Sequence, residues 1–139
     1  MQRRPLGNGR RLAFLGALVV LVGCVLPWYT VGGAGDLPPL VYRAFDGSGF
    51  AAFLAALATI ALVALPYAAG DHPVGVDRGL AFGILATIAV AAVILWVPNT
   101  LEAPEGLLPD RAYGFWVTAV GAIMLARAAY DIILEPPRR

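Results

Sequence analysis

Four long apolar segments limit what this chain can fold into more than any other feature. Each is close to the length that an α-helix needs to cross a hydrocarbon core of ~30 Å. Only 14% of the 139 residues are charged and 60% are hydrophobic, so a soluble domain could not cover its surface with polar side chains. We therefore predict a single all-α membrane domain, a bundle of four transmembrane helices over about residues 12–30, 49–65, 79–97 and 112–134.

The distribution of arginine predicts the orientation of the bundle. The chain contains no lysine, and of its ten basic residues only Arg43 and Arg111 lie in the connections after the first and third segments. Cationic side chains near the ends of a span resist translocation, so the arginine-rich side is expected to be cytoplasmic. Both termini are predicted inside, with the other arginines on that side: Arg3, Arg4, Arg10, Arg11, Arg78, Arg127, Arg138 and Arg139.

A weak internal repeat relates the first and third segments. An even number of spans in each unit would keep both units in the same orientation. The repeat predicts two tandem helical hairpins related by a pseudo-two-fold axis along the membrane normal, and chance similarity between Ala- and Leu-rich helices is the alternative. At an offset of 68 residues the matches are Arg10 with Arg78, Leu12-Ala13-Phe14 with Leu80-Ala81-Phe82, and Trp28 with Trp96.

Small residues recur at four-residue spacing on the third and fourth segments. Helices in lipid associate through small side chains, because close backbone approach replaces the hydrophobic drive. The pattern predicts a packing face, either inside the bundle or between copies of the chain. Its members are Gly79, Gly83, Thr87 and Ala91 on the third segment, and Gly114, Thr118, Ala122 and Ala126 on the fourth.

Aromatic and basic residues near the segment ends are predicted to anchor the bundle in the membrane interface. Trp28 and Tyr29 close the first segment, and Trp96 closes the third, where interfacial aromatic belts lie. Arg127 is about two turns from the inner end of the fourth segment, where its side chain can extend to the headgroups. Asp131 follows four residues later and predicts an ion pair. A functional role for Arg127 is the alternative, since charges within spans are functional candidates.

The connection after the first segment is a candidate partner loop. Residues 37–50 are too apolar for a freely solvated loop, and they include Tyr42, Arg43, Phe45 and Asp46. Exposed apolar surface with a tyrosine and an arginine is typical of interfaces. The loop either packs onto the chain's own bundle or contacts a partner.

The single cysteine, Cys24, allows two interpretations. The sequence Leu21-Val22-Gly23-Cys24 fits a bacterial lipoprotein processing site behind a basic head and an apolar stretch. However, the apolar run continues after Cys24, and the match of the first segment to the third favours a retained helix. Cys24 is then a small buried residue.

Two short motifs carry a resemblance. Leu26-Pro27-Trp28 ends the first segment, and Asp46-Gly47-Ser48-Gly49 opens the second. Over residues 10–65 the chain resembles small, uncharacterised four-span proteins of bacterial inner membranes. The resemblance implies a bacterial plasma membrane and a bundle of helical hairpins, and it implies no activity.

No catalytic constellation, cofactor motif or metal-ligand set is evident, and a net charge of +1 gives no basic face for nucleic acid. The partners expected are the lipid bilayer and either other membrane subunits or further copies of the chain. We predict a non-enzymatic accessory or scaffold subunit of a membrane complex. One alternative is a transporter or channel component formed by homo-oligomerisation. The other is a membrane enzyme using outer-face carboxylates, namely Asp36, Asp46, Glu102, Glu105 and Asp110.

Overall fold

The computed structural model describes residues 7–33, 35–70 and 77–135. Within these ranges all four helices are long and apolar enough to cross a membrane, which confirms the predicted all-α four-helix class. The terminal arginines used for orientation, Arg3, Arg4, Arg138 and Arg139, lie outside the described residues. The helices are α1 (Asn8–Val25), α2 (Gly49–Ala68), α3 (Arg78–Trp96) and α4 (Tyr113–Ile133).

The four helices form a closed ring in which each packs against its two neighbours. α1 contacts α2, α2 contacts α3, α3 contacts α4, and α4 returns to pack against α1. Each helix thus packs against the helix that follows it in the sequence, as in an up-and-down bundle. The contact between α1 and α4 is the most extensive of the four.

The first helix ends earlier than predicted, at Val25. Leu26 is extended (φ −78°, ψ 161°), because the ring of Pro27 disfavours helical geometry in the residue before it. Residues 27–30, predicted as the end of the first span, instead begin a β-hairpin. Strand β1 (Pro27–Val31) pairs antiparallel with β2 (Leu40–Arg43), so a small two-stranded sheet sits on the helical bundle.

The second helix runs past its predicted end. Pro66 was expected to stop it at residue 65, but α2 continues to Ala68 and the N–H of Ala69 still donates to the carbonyl oxygen of Leu65. Proline removes one hydrogen bond of the last turn, and a terminal turn tolerates this better than a helix centre. The ends of α3 and α4 differ from prediction by one residue.

Glycines bring α1 and α4 into backbone contact. We call this contact the α1–α4 seam; its members are Gly16 and Gly23 of α1, and Gly114 and Gly121 of α4. A methyl group added at Gly121 would lie 3.0 Å from the carbonyl oxygen of Gly16 and 2.8 Å from the nitrogen of Val20. The glycines on each helix are seven residues apart, which is two helical turns, so they share one face. The seam therefore requires residues without a side chain at these positions.

Three aromatic rings fill the core where the hairpin meets the bundle. Trp28 is completely buried, and its ring meets those of Trp96 (5.2 Å between centroids) and Phe115 (5.6 Å) edge to face. The indole N–H of Trp28 donates to the carbonyl oxygen of Gly23 at 3.0 Å. This geometry combines apolar burial with favourable ring contacts.

The predicted membrane-anchor role of Trp28, Tyr29 and Trp96 is corrected by their burial. Their exposed fractions are 0%, 8% and 4%, so these side chains face the protein interior and not the lipid. The reason is the turn at Pro27, which carries the chain back over the bundle and folds Trp28 and Tyr29 inwards. Trp116 is the exposed tryptophan on this end of the bundle.

The predicted packing face divides between two environments. On α4, Gly114, Thr118 and Ala122 are buried, whereas Ala126 is exposed. On α3 the prediction needs correction, because Thr87 is exposed and Gly79, Gly83 and Ala91 are only partly covered. A different face of α3 packs into the bundle. It consists of the buried residues Phe82, Ala86, Ala89, Ala92 and Trp96.

The internal repeat stays a prediction. Trp28 and Trp96, which correspond at an offset of 68 residues, contact each other, but Trp28 lies in a strand and Trp96 ends a helix. The connections that follow them also differ: α1 leads into the β-hairpin, and α3 leads into two 3-10 turns at Val97–Thr100 and Pro104–Leu107.

Candidate functional site

A cavity of about 480 Å³ opens between the β-hairpin and the connection from α3 to α4. We call it the hairpin pocket. It lies at the end of the bundle that the arginine distribution assigns to the exterior. The side chains most relevant to its chemistry are Tyr29, Tyr42, Asp46, Trp96, Asn99 and Glu102.

Side-chain to backbone hydrogen bonds hold the walls of the pocket in place. The hydroxyl of Tyr29 donates to the carbonyl oxygen of Ala103 at 2.8 Å, and the hydroxyl of Thr30 donates to the carbonyl oxygen of Arg111 at 2.8 Å. The guanidinium of Arg111 donates in turn to the carbonyl oxygen of Gly32 at 3.2 Å. These bonds join segments more than 70 residues apart in sequence, so they hold the hairpin against the connection from α3 to α4.

Aromatic rings and carboxylates define the chemistry of the pocket. The rings of Tyr29 and Tyr42 lie 6.1 Å apart at an angle of 39°. Asp46 ends a 3-10 turn, where its carboxylate accepts the backbone N–H of Arg43 at 2.6 Å. Burial, followed by the negative charges of Glu105 and Glu102, raises the pKa of Tyr29 above its ordinary value. Burial is the larger cause, and the two carboxylates add to it.

Trp96, which lines the pocket, carries a fully buried polar group. Its side chain is 4% exposed, and its indole N–H has no hydrogen-bond acceptor within the described part of the chain. A buried donor without an acceptor costs about 1–3 kcal/mol, so such groups require an explanation.

The structure brings only part of the predicted partner loop into the pocket. Tyr42 and Asp46 line it, while Phe45 packs against Phe53 of α2 with 5.1 Å between ring centroids. All four residues of β2, including Arg43, are exposed. Asn99 and Glu102 also line the pocket; the sequence indicated Glu102 only as an outer-face carboxylate, and it did not single out Asn99.

A second cavity, the α3–α4 groove, lies on the side of the bundle at the end opposite the hairpin. Its volume is about 800 Å³, and its walls include the partly covered small residues of α3 that were predicted to pack. Asp77 lies at its mouth, where its carboxylate caps α3 by accepting the N–H of Leu80 at 3.2 Å. The residues that line the groove include Gly79, Gly83, Ile84, Thr87 and Ile133.

Arg127 and Cys24 occupy ordinary structural environments. Arg127 pairs with Asp131 at 3.3 Å, and its guanidinium carbon lies 5.7 Å from the centre of the Tyr130 ring. Its side chain is 65% exposed, so its predicted role as an interfacial anchor stays a prediction. Cys24 is completely buried within α1, with its sulfur 3.9 Å from the carbonyl oxygen of Gly49.

Of the five carboxylates predicted for an outer-face enzyme, Asp46 and Glu102 line the hairpin pocket. Glu105 lies close enough to Tyr29 to raise its pKa, and Asp36 and Asp110 are not among the residues that line the pocket. Among residues 7–33, 35–70 and 77–135, no three His, Cys, Asp or Glu side chains come together in a way that could hold a metal ion.

No known protein family, curated protein or solved structure matches this chain. Its class therefore follows from the fold itself. Four helices of membrane-spanning length and composition, packed as a ring with apolar outer faces, define a multi-pass integral membrane protein.

Proposed function

We propose that this protein is a non-enzymatic accessory subunit of a membrane complex, and that it binds a transmembrane helix of another subunit in the α3–α4 groove. The observation that carries the proposal is the position of the small-residue stripe of α3. Gly79, Gly83 and Thr87 line the α3–α4 groove, where the described part of the chain covers the two glycines only partly and leaves Thr87 exposed.

The chemistry of the groove favours a helix as its occupant. Gly83 has only the end of the Ile133 side chain near its Cα, at 3.5 Å from an added methyl position, so a neighbouring backbone can approach closely. The hydroxyl of Thr87 already donates to the carbonyl oxygen of Gly83 at 2.8 Å, so it presents a compact surface to a partner.

Charge complementarity supports the same occupant. Asp77 lies at the mouth of the groove, at the end of the bundle that is predicted to be cytoplasmic. Transmembrane helices of other subunits carry their arginine and lysine residues mainly at that membrane face. A basic residue flanking the partner helix would therefore meet the Asp77 carboxylate.

Transport by a single copy of the chain receives less support from the interior of the bundle. The hydroxyls of Thr59 and Thr118, the polar groups at its centre, donate to carbonyl oxygens of their own helices, at Ala55 (2.7 Å) and Gly114 (2.9 Å). Both are thus used locally, as threonines within transmembrane helices often are. A homo-oligomeric pore is the competing hypothesis, and the native mass of the extracted complex distinguishes it from an accessory subunit.

Filling the groove is expected to release the partner and leave the fold intact. The double variant Gly83→Leu/Thr87→Leu places two large side chains on an open surface, so its unfolding temperature in detergent should match that of the wild type. The native mass of the complex, extracted from source membranes in mild detergent, should fall by the mass of the foreign subunit. Ala58→Leu is the matched control, because Ala58 is an exposed small residue of α2 outside the groove.

A photo-crosslinker at Ile84 identifies the occupant directly. The proposal requires a crosslink to a foreign membrane subunit that is absent when the crosslinker is placed at Ala58. A ring composed of this chain alone, a crosslink to a second copy, a crosslink to lipid alone, or a lone 14.6 kDa protomer would each refute it.

We also propose that the protein lies in a bacterial inner membrane with both termini cytoplasmic. The arginine distribution and the resemblance over residues 10–65 support this placement. Alkaline phosphatase inserted after Gly35, a loop position with open space around it, should be active, since this enzyme requires export. The same reporter fused after Arg139 should be inactive, and a fluorescent protein fused there should fluoresce. The reverse pattern would contradict the orientation.

A further inference from the structure

We propose that the hairpin pocket binds a small organic cation, an alkylammonium ion. The site is separate from the α3–α4 groove and independent of the proposed accessory role. Three features carry the inference: aromatic side chains in the lining, two carboxylates that form no ion pair with a basic side chain in the described part of the chain, and a cavity of suitable size.

The aromatic walls match the recognition of alkylammonium ions. Tyr42, which is 42% exposed, lines the pocket together with the largely buried rings of Tyr29 and Trp96, and the centroids of the two tyrosine rings lie 6.1 Å apart. The face of an aromatic ring attracts a cation through its quadrupole, and cages of such rings bind quaternary ammonium groups. The Tyr29 ring is fixed by its bond to Ala103, so little side-chain entropy is lost when a ligand enters.

The charge of the pocket has the complementary sign. Asp46 and Glu102 contribute two carboxylates, and no basic residue is among the described residues that line the cavity. The neighbouring Arg111 guanidinium donates to the carbonyl oxygen of Gly32, and the bond that Asp46 receives from Arg43 comes from a neutral backbone N–H. A bound cation would balance this negative potential.

The size of the cavity narrows the ligand class. A volume of about 480 Å³ lies within the usual range for small-molecule sites. A metal ion would leave most of that space empty and would find only two carboxylates. Choline, a quaternary ammonium ion, is therefore a suitable probe.

The binding test uses the full chain purified in a maltoside detergent, because phosphocholine detergents and lipids carry the same cation. Choline titration should give saturable binding by calorimetry, with a matching change in tryptophan fluorescence. The uncharged isostere 3,3-dimethylbutan-1-ol should bind at least about tenfold more weakly, since it has the shape and hydroxyl of choline but no charge to interact with the rings.

Variants assign the binding to the pocket. Tyr42→Leu should weaken choline binding about fivefold or more through loss of one cation–π contact, and Glu102→Gln should weaken it about threefold and reduce its dependence on salt. Tyr113→Leu and Asp110→Asn are matched controls, because both residues are exposed near this end of the bundle and neither lines the pocket. All four variants should keep the wild-type unfolding temperature within a few degrees.

Three results would overturn the proposal. They are the absence of saturable choline binding, equal affinity for the neutral isostere, and unchanged affinity in both pocket variants. Displacement of choline by stoichiometric Ca²⁺ would also count against it, since it would identify the two carboxylates as ligands of a metal ion. None of these results bears on the α3–α4 groove, so the two proposals fail independently.

Discussion

Gly23→Ala is expected to destabilise the bundle by about 3 kcal/mol or more, which places it at or above the upper end of the usual cost of overpacking a core. The added methyl group would lie 2.7 Å from the backbone nitrogen of Thr118 and 3.0 Å from the carbonyl oxygen of Gly114. These are main-chain atoms of α4 and cannot rotate away as a side chain does. The two helices would have to separate along the whole α1–α4 seam.

The measurement is the unfolding of purified protein in detergent, by heat or by titration with a denaturing detergent. Gly83→Ala is the matched control, since its methyl group would meet only Ile133 at an ordinary contact distance of 3.5 Å. That control should be neutral or slightly stabilising, because alanine is the better helix former. Equal stability of the two variants would show that the α1–α4 seam is not as tight as described.

Trp28→Ala is expected to cost about 3–5 kcal/mol, the usual range for removing a large aromatic side chain from a core. The substitution opens a cavity between the rings of Trp96 and Phe115. It also removes the hydrogen bond that the indole N–H donates to the carbonyl oxygen of Gly23, which belongs to the α1–α4 seam. Trp28→Phe should fall between the wild type and Trp28→Ala, since it keeps a ring but loses the hydrogen bond.

Trp116→Ala is the comparison that separates core packing from membrane anchoring. Trp116 is 44% exposed and donates its N–H to Leu107 at 2.8 Å, so its loss should cost about 1 kcal/mol. The same unfolding assay measures both variants. If Trp116→Ala proved as costly as Trp28→Ala, the burial of Trp28 would not be the dominant contribution.

The helices could be predicted from sequence because hydrophobic length is a property of single segments. The limits of α3 and α4 were predicted to within one residue, and no tertiary information was needed. The end of α1 could in principle have been predicted as well, because Pro27 restricts Leu26 to extended geometry. The apolar residues continue through Trp28 and Tyr29, however, and burial under a hairpin and embedding in lipid favour the same residue types. The sequence therefore predicted a longer helix.

The packing faces could not be predicted reliably, because small residues serve both close helix contacts and open surfaces. The four-residue stripe of α3 lies along a groove, whereas the tightest contact uses glycines at seven-residue spacing, including Gly16 and Gly23. That spacing is visible in the sequence. Choosing between the two patterns requires knowing which helices are neighbours.

The hairpin pocket depends entirely on tertiary structure. Tyr42 and Asp46 come from the hairpin and the turn after it, while Asn99 and Glu102 come from a connection more than 50 residues later. Residues this far apart give no shared periodicity or motif. Tertiary contacts bring them together, such as the hydrogen bond from Tyr29 to Ala103 and the contact between the rings of Trp28 and Trp96.

The position of the α1–α4 seam has a consequence for biogenesis. The closest helix contact in the molecule joins elements separated by most of the chain, so it cannot form until α4 has left the ribosome. The ring of four helices can therefore close only after α4 has been synthesised, and a nascent chain arrested before Tyr113 would lack the helix that packs against the glycine face of α1.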